Sequence, residues 1–188
     1  MKSLMIDIET MGTHTSESLI LSVGAITFTM HKDGPSFLES FLKVLTWEPQ
    51  VISGRRIEPG TQKWWSEQTP QARRHWTDGD KIHPAYLRDE LLNFYNVTNL
   101  EVRSDVWANG IVFDIGNLEN LFHTYEKPIP WEYNAVRDAR TIYQMPRLRQ
   151  ADPEIMAGFI GHDPIEDCKK QIWRLWEHLP SEFLEPSP

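Results

Sequence analysis

The hydrophobic pattern of the first 45 residues predicts three consecutive strands. Residues 3–9 and 18–29 are nearly continuous apolar runs, which is typical of buried strands. Residues 36–45 form a third strand after the turn signal Lys-Asp-Gly-Pro. Because the connections between these runs are short, we expect an antiparallel meander at the start of the fold.

The pattern becomes helical from about residue 59. One helix is predicted with Thr61 as its N-cap, and a second with Thr69 as N-cap and Pro70 at its first position. A third helix is predicted within residues 83–96. This middle region is expected to cover the sheet.

The second half of the chain alternates between the two patterns. A strand at 105–109 precedes a helix at 114–125, and a short strand enters a helical turn near Asp138. The clearest helix spans 163–178, followed by a Pro-rich tail from about residue 180. The order predicts an α/β fold in which a mixed central sheet is flanked by helices, as one domain over residues 1–188.

Composition narrows the class of protein. With 188 residues and 40% hydrophobic content, the chain can build one domain core. Its single cysteine, Cys168, excludes an intrachain disulfide and any multi-cysteine metal site. The net charge of -8 argues against binding nucleic acid through bulk positive charge, but not against nucleic acid as a substrate. Two acids within the first nine residues interrupt the apolar run that a secretory signal needs, and the longest apolar stretch is too short for a membrane span, so we expect a cytoplasmic protein.

Asp7 and Glu9 are the first candidate for chemistry. On a strand, residues two apart point to the same face, so these two carboxylates lie side by side, after Met5. Two acids on one face of an apolar strand repel each other, and a divalent cation with oxygen ligands would neutralise them. The alternative is a solvated strand face.

The segment 161–167 is the second candidate. Asp163, Pro164 and Glu166 match the N-cap, the first helical position and the third position of a capping box. In that frame His162 precedes the cap and Asp167 is the fourth helical residue, two positions that pack together at helix starts. The spacing therefore predicts an imidazole beside a carboxylate, unless these groups only cap the helix.

Two further acids have both functional and structural interpretations. Asp114 lies where a helix begins after an apolar strand, so it is either a metal ligand or an N-cap. Asp138 stands between Arg137 and Arg140, which favours a structural ion pair.

Taken in order, these motifs resemble those of the DEDDh 3'-5' exonucleases: Asp-x-Glu on the first strand, a central Asp after a Gly, and His-x-x-x-x-Asp near the C-terminus. The resemblance covers most of the chain. Further segments are similar to the branch that holds phage exodeoxyribonuclease A and related bacterial exoribonucleases, namely residues 64–65, 68–70, 72–73, 137–141 and 158–163.

The resemblance implies an RNase H-like fold and a site that holds two divalent ions, Mg²⁺ or Mn²⁺. The ligands it implies are Asp7, Glu9, Asp114 and Asp167, and it implies His162 as the general base. A histidine can accept a proton only in its neutral form, so activity should fall on acidification. The sibling class with Tyr four residues before the last acid is not supported, because Asp163 occupies that position.

The resemblance also implies a substrate, the 3' end of single-stranded DNA or RNA, with DNA slightly favoured. Residues expected to contact it are Thr10, Met11, Gly12, Trp65 and Arg73. Of the adjacent pair Trp64 and Trp65, one is expected in the core and the other exposed. Arg73 and Arg74 bind phosphate or form a solvated face. Relatives of this class are often dimers, which leaves a homodimer open, and no membrane partner is expected.

Two alternatives from other classes remain at this point. One is a nucleic-acid-binding module that keeps the fold but has lost catalysis. The other is a glycoside hydrolase with a carboxylate pair, which needs no metal. Chelation would abolish activity only in the nuclease.

Overall fold

The computed structural model describes residues 2–78 and 81–186. Six strands form one sheet in the order β4-β3-β2-β1-β5-β6. The first three strands pair antiparallel, whereas β4, β5 and β6 run parallel to their neighbours. The predicted meander and mixed sheet are therefore confirmed. The strands are β1 (Ser3–Thr10), β2 (Ile20–His31), β3 (Gly34–Leu45), β4 (Lys81–Ile82), β5 (Val106–Ala108) and β6 (Val136–Asp138).

The described residues form eight α-helices in the predicted order, with two additions, the short α1 and α7. Neither these helices nor the two-residue strand β4 was predicted, because elements of two to five residues carry no full hydrophobic period. The helices are α1 (Glu48–Ile52), α2 (Pro59–Glu67), α3 (Pro70–Thr77), α4 (Leu87–Thr98), α5 (Asp114–Thr124), α6 (Ala139–Ile142), α7 (Pro153–Ala157) and α8 (Pro164–His178), with 3₁₀ turns at Pro84–Tyr86 and Ser181–Phe183.

The caps agree with the sequence at two helices and differ at a third. Thr69 accepts a hydrogen bond from Ala72 N at the start of α3. Asp163 accepts from two backbone N–H groups at the start of α8. The prediction of Thr61 as an N-cap is wrong: α2 begins at Pro59, because the fixed φ and missing N–H of proline suit the first helical position.

Helices cover both faces of the sheet. On one face, Leu4, Ile6 and Ile8 of β1 pack in a cluster with apolar residues of α4 and α5. On the other face, Met5 packs with Cys168 and Ile172 of α8. The alternation along β1 thus assigns one side of the strand to each layer, and the acids share their side with α8.

The start of α8 lies directly on β2. A Cβ added at Gly24 would lie 2.7 Å from Pro164 Cβ and 2.8 Å from its carbonyl carbon. Gly24 is also the register partner of Asp7. The absence of a side chain at Gly24 therefore sets how closely the first turn of α8 approaches the strand that carries Asp7.

A buried arginine connects the segment after β1 to α5. The guanidinium of Arg55, 5% exposed, donates to Ser18 O at 2.7 Å and Asn117 O at 2.8 Å. It also donates to Asn120 Oδ1 at 3.1 Å. Burial lowers the pKa of Arg55 to about 10. These bonds fix α5 relative to the loop between β1 and β2.

Within residues 2–78 and 81–186, none of the helices combines the length and the apolar character that crossing a bilayer requires.

Candidate active site

β1 brings two carboxylates to the middle of the sheet, on the face that α8 covers. Asp7 and Glu9 follow Met5 at alternate positions, so all three side chains point toward α8. The Nε2 amide of Gln171, on α8, donates a 2.7 Å hydrogen bond to Asp7 Oδ1. That bond fixes the orientation of the Asp7 carboxylate.

Asp114 enters the same pocket from the first turn of α5. Phe113 occupies the N-cap position, and no side chain caps this helix. The N-cap alternative for Asp114 is therefore wrong. Its side chain is 5% exposed and lines a pocket of about 360 Å³ together with Asp7 and Glu9.

The start of α8 supplies the last acid and the histidine. His162 has a φ of 65°, in the left-handed region, and its backbone N–H donates to Asp167 Oδ2 at 2.8 Å. The sequence prediction that these two residues lie together at the helix start is confirmed as a contact. One side-chain ligand atom from each of Glu9, His162 and Asp167 lies within 4.8 Å of the other two.

The electrostatics of the pocket favour a bound cation. Burial raises the pKa of Asp7 and of Glu9 well above their usual values, and neighbouring carboxylates raise both further. Burial also raises the pKa of Asp114 to about 7 and raises the pKa of Asp167. Burial is the largest cause of each shift, whereas the nearby positive charge of Arg140 lowers the pKa of Asp114. A bound cation would favour the ionised carboxylates, and carboxylate oxygens are the donors that Mg²⁺ and Mn²⁺ prefer. The residues present therefore fit divalent ions.

Other residues of this pocket were not predicted from the sequence. Gln171 follows Asp167 by one helical turn, so the i, i+4 spacing on α8 is a signal that could have found it. The remainder are brought in by tertiary structure. The unpredicted polar and charged residues of the lining are Asn109, Arg140, Lys170, Gln171 and Arg174.

A second pocket, of about 460 Å³, adjoins the first because both are lined by Glu9 and Phe113. Thr10 and Gly12, expected to contact substrate, line it. Met11 does not, since its side chain is 2% exposed and packs in the cluster with Leu19 and Leu21.

The two adjacent tryptophans divide as predicted, one buried and one exposed. Trp65 is 2% exposed and its Nε1 donates to Thr10 O at 2.8 Å; although it lines the second pocket, its ring is mainly core. Trp64 is 38% exposed, and its ring lies edge-on to the His162 imidazole with centroids 4.7 Å apart and planes at 87°. The more exposed ring is therefore that of Trp64, whereas the sequence analysis expected Trp65 to contact substrate.

Arg73 lies apart from both pockets, on α3, beside a separate surface depression. Arg74 there faces Asp78 in an i, i+4 ion pair of 3.8 Å. Asp138 caps α6 by accepting from Thr141 N at 2.9 Å. The expected Asp138 ion pair with its flanking arginines is not formed among the described residues, since Arg137 pairs with Asp105.

The sheet and the five converging side chains define a DEDDh 3'-5' exonuclease with an RNase H-like fold, an enzyme that acts on nucleic acid. The chain matches the family described as the 3'-5' exoribonuclease Rv2179c-like domain over residues 2–179. It belongs to that family. The assignment selects the nuclease over the glycosidase and the binding module, and the family implies divalent metal ions.

Individual relatives agree with this assignment. The chain is 25% identical to an exodeoxyribonuclease of Enterobacteria phage T4 over 203 residues, which cover 92% of this chain and 86% of the relative. Among solved structures, cell-death related nuclease 4 (CRN-4) superposes with a TM-score of 0.63 at 13% identity, over 93% of this chain and 62% of that one. A zinc-bound complex of E. coli ExoI with ssDNA gives a TM-score of 0.61 at 15% identity, over 94% of this chain and 40% of that one. The chain thus spans less than two thirds of either structural relative.

Proposed function

We propose that the protein removes nucleotides from the 3' end of single-stranded nucleic acid with two divalent ions, Mg²⁺ or Mn²⁺, and that residues 1–188 act as one exonuclease domain. The observation that carries the proposal is the convergence of four acids and one histidine in a single pocket; they are Asp7, Glu9, Asp114, His162 and Asp167. Two ions, when bound, would supply charge stabilisation for the attacking and leaving oxygens of a phosphodiester.

The four carboxylates differ in what surrounds them, which suggests different tasks. Asp7, central and oriented by Gln171, would contact both ions. Glu9 and Asp167 lie close to His162 and would hold the ion at which water is activated. Asp114, the acid supplied by α5, would hold the second ion.

His162 would accept the proton of the attacking water. Its backbone is fixed by the bond to Asp167, and its ring is held against Trp64. Both contacts restrict the imidazole while leaving the residue exposed to the pocket. A general base needs this combination of fixed orientation and access to water.

The second pocket would receive the terminal base. Gly12, which lines this pocket, packs closely against the loop between β1 and β2, since an added Cβ would lie 2.9 Å from Ser18 Oγ. The exposed Trp64 ring offers a stacking surface, worth about 1–3 kcal/mol per base. Trp64 therefore replaces Trp65 as the proposed stacking residue.

The DNA preference expected from the sequence stays a prediction, and RNA is the second candidate. The phage relative is named an exodeoxyribonuclease, whereas the family is described as an exoribonuclease. The cytoplasmic location and the homodimer also stay predictions.

Degradation of matched 5'-labelled single-stranded DNA and RNA tests the proposal, with Mg²⁺ or Mn²⁺, beside an EDTA control and Asp7→Ala. We expect a ladder that shortens from the 3' end and disappears in both controls, and the faster substrate reveals the sugar preference. No cleavage of either strand by folded, metal-loaded protein contradicts the proposal.

The role of His162 needs its own test. His162→Ala should slow turnover strongly while metal binding, measured by calorimetry with Mn²⁺, stays near that of the wild type. If Mn²⁺ binding is lost instead, His162 is a metal ligand rather than the base.

A further inference from the structure

Three basic side chains line the acidic pocket of a chain whose net charge is -8. Lys170 and Arg174 lie on α8, and Arg140 lies on α6. Spacings of three and seven residues put Lys170 and Arg174 on the same side of α8 as Asp167. Basic residues are fewer than acidic ones in this protein, so their concentration at one wall of the site requires an explanation.

None of these three side chains forms a salt bridge with any carboxylate in residues 2–78 and 81–186. The guanidinium of Arg140 donates to Asn109 O at 3.0 Å. The guanidinium of Arg174 lies 4.2 Å from the centre of the Tyr143 ring. Two of the three are thus held by uncharged partners, which leaves their positive charge available to an anion.

Their sequence neighbours behave differently. Lys169, next to Lys170, pairs with Glu166 at 2.7 Å. Arg137, three residues before Arg140, pairs with Asp105 at 2.9 Å. Neither Lys169 nor Arg137 lines the pocket. The absence of a carboxylate partner therefore coincides with facing the site.

The charges of the loaded site leave these cations for the substrate. Four ionised carboxylates balance two divalent ions, so each additional phosphodiester brings one uncompensated negative charge. Strong phosphate binding uses the planar fork of arginine and the point charge of lysine.

The direction of the wall identifies which phosphates it faces. At about 1.5 Å per residue, Lys170 lies about 4.5 Å and Arg174 about 10 Å beyond Asp167 along α8. The proposed base pocket adjoins the site through Glu9 and Phe113 and contains no residue of α8. In a 3'-5' exonuclease the rest of the strand lies on the 5' side of the scissile linkage, so cations that extend along α8 away from Asp167 are placed to meet those phosphates.

We infer that Arg140, Lys170 and Arg174 bind the backbone phosphates on the 5' side of the scissile linkage and hold the strand in register with the acids. This inference rests on the proposed function and adds the residues that would bind the body of the strand. It assigns the α8 side of the site to the backbone and the Trp64 side to the bases.

Binding measured apart from cleavage tests the inference. The three wall variants are Arg140→Gln, Lys170→Gln and Arg174→Gln, and the matched controls are Arg137→Gln and Lys169→Gln. Binding of each to a short 5'-fluorescein oligothymidylate is measured by fluorescence anisotropy in Ca²⁺. We expect each wall variant to weaken binding about tenfold and each control less than about twofold. Between about 50 and 200 mM NaCl, the salt slope of each wall variant should fall by about 0.7.

An oligonucleotide with one uncharged linkage provides the second part of the test. When one methylphosphonate replaces a phosphate on the 5' side of the terminal linkage, wild type should lose affinity, and the wall variant that contacts this phosphate should lose almost none. Wall variants that bind like the controls, with unchanged salt slopes, overturn the inference while wild-type cleavage still upholds the nuclease. Wild-type protein that neither binds nor cleaves any strand overturns both proposals.

Discussion

Gly24→Ala should damage the active site although Gly24 touches no substrate. The added Cβ would lie 2.7 Å from Pro164 Cβ, whereas ordinary van der Waals contacts begin at 3.4 Å. The two atoms must therefore move apart by about 0.7 Å. The carbonyl carbon and oxygen of Pro164, at 2.8 and 3.0 Å, are backbone atoms that cannot rotate away. The first turn of α8 must therefore move off β2, and it carries Asp167 and the preceding His162 with it.

The size of the effect follows from this displacement. Overpacking of a tight contact costs about 1–3 kcal/mol of stability. A shift of about 1 Å in catalytic groups lowers turnover about 100-fold, so a shift of about 0.7 Å should lower kcat by tenfold or more. We expect KM to change less, because the base pocket contains no residue of α8.

Urea unfolding and 3'-end cleavage, measured at a temperature where the variant is fully folded, check both numbers. Gly60→Ala is the matched control for stability: no atom lies within 4 Å of its added Cβ, and alanine in a helix should stabilise by up to about 1 kcal/mol. A Gly24→Ala protein with wild-type stability and wild-type kcat refutes the argument that this glycine sets the position of α8.

Four other changes have expected outcomes. The pKa of Asp114 in the folded protein, about 7, exceeds its ordinary value of 3.8. The native state therefore binds more protons than the unfolded state, and stability without metal falls as pH rises from about 4 to 7. Asp114→Asn should raise Tm in EDTA at pH 8 while abolishing cleavage, and an unchanged or lower Tm contradicts this. Arg55→Met should lower the free energy of unfolding by about 3 kcal/mol in urea titrations, because it leaves the carbonyl partners of Arg55 without donors. Burial raises the pKa of the Cys168 thiol, so a thiol reagent should label it only after denaturant is added, and rapid labelling of native protein would show that α8 opens. Trp64→Ala should lower kcat up to about tenfold with Mn²⁺ affinity unchanged, since an edge-on aromatic contact is worth about 0.5–1.5 kcal/mol. Trp64→Phe should keep most of the wild-type kcat. Equal loss of kcat in both variants would exclude a role of Trp64 in holding His162.

Local signals in the sequence were sufficient for the frame of the fold and for part of the site. Strands β1 and β2 were found from continuous apolar runs, β3 from the turn signal before it, and the start of α8 from its capping residues, all within two residues of the observed bounds. The same capping frame placed His162 next to Asp167, which the 2.8 Å bond between them confirms. These features depend on interactions between residues that are close along the chain, so the local sequence is enough to predict them.

Features that depend on packing between distant segments could not be obtained this way. Helical spacing showed that Trp64 and Trp65 point in different directions, but only the position of α2 against β1 decides which one is buried. Arg55 carries no local signal, because its partners lie in another loop and in α5. Lys170 and Arg174 can be assigned to the pocket only when the position of α8 beside it is known.

The four acids enter the pocket from three segments that are far apart along the chain: β1, the first turn of α5 and the first turn of α8. Asp7 and Asp167 are brought together only when almost the whole sheet has formed and its last long helix has docked. During synthesis from the N-terminus, the ligand set stays incomplete until α8 has emerged from the ribosome and folded. Until that point the nascent chain has no assembled nuclease centre, although β1 with Asp7 and Glu9 is among the first segments to be made.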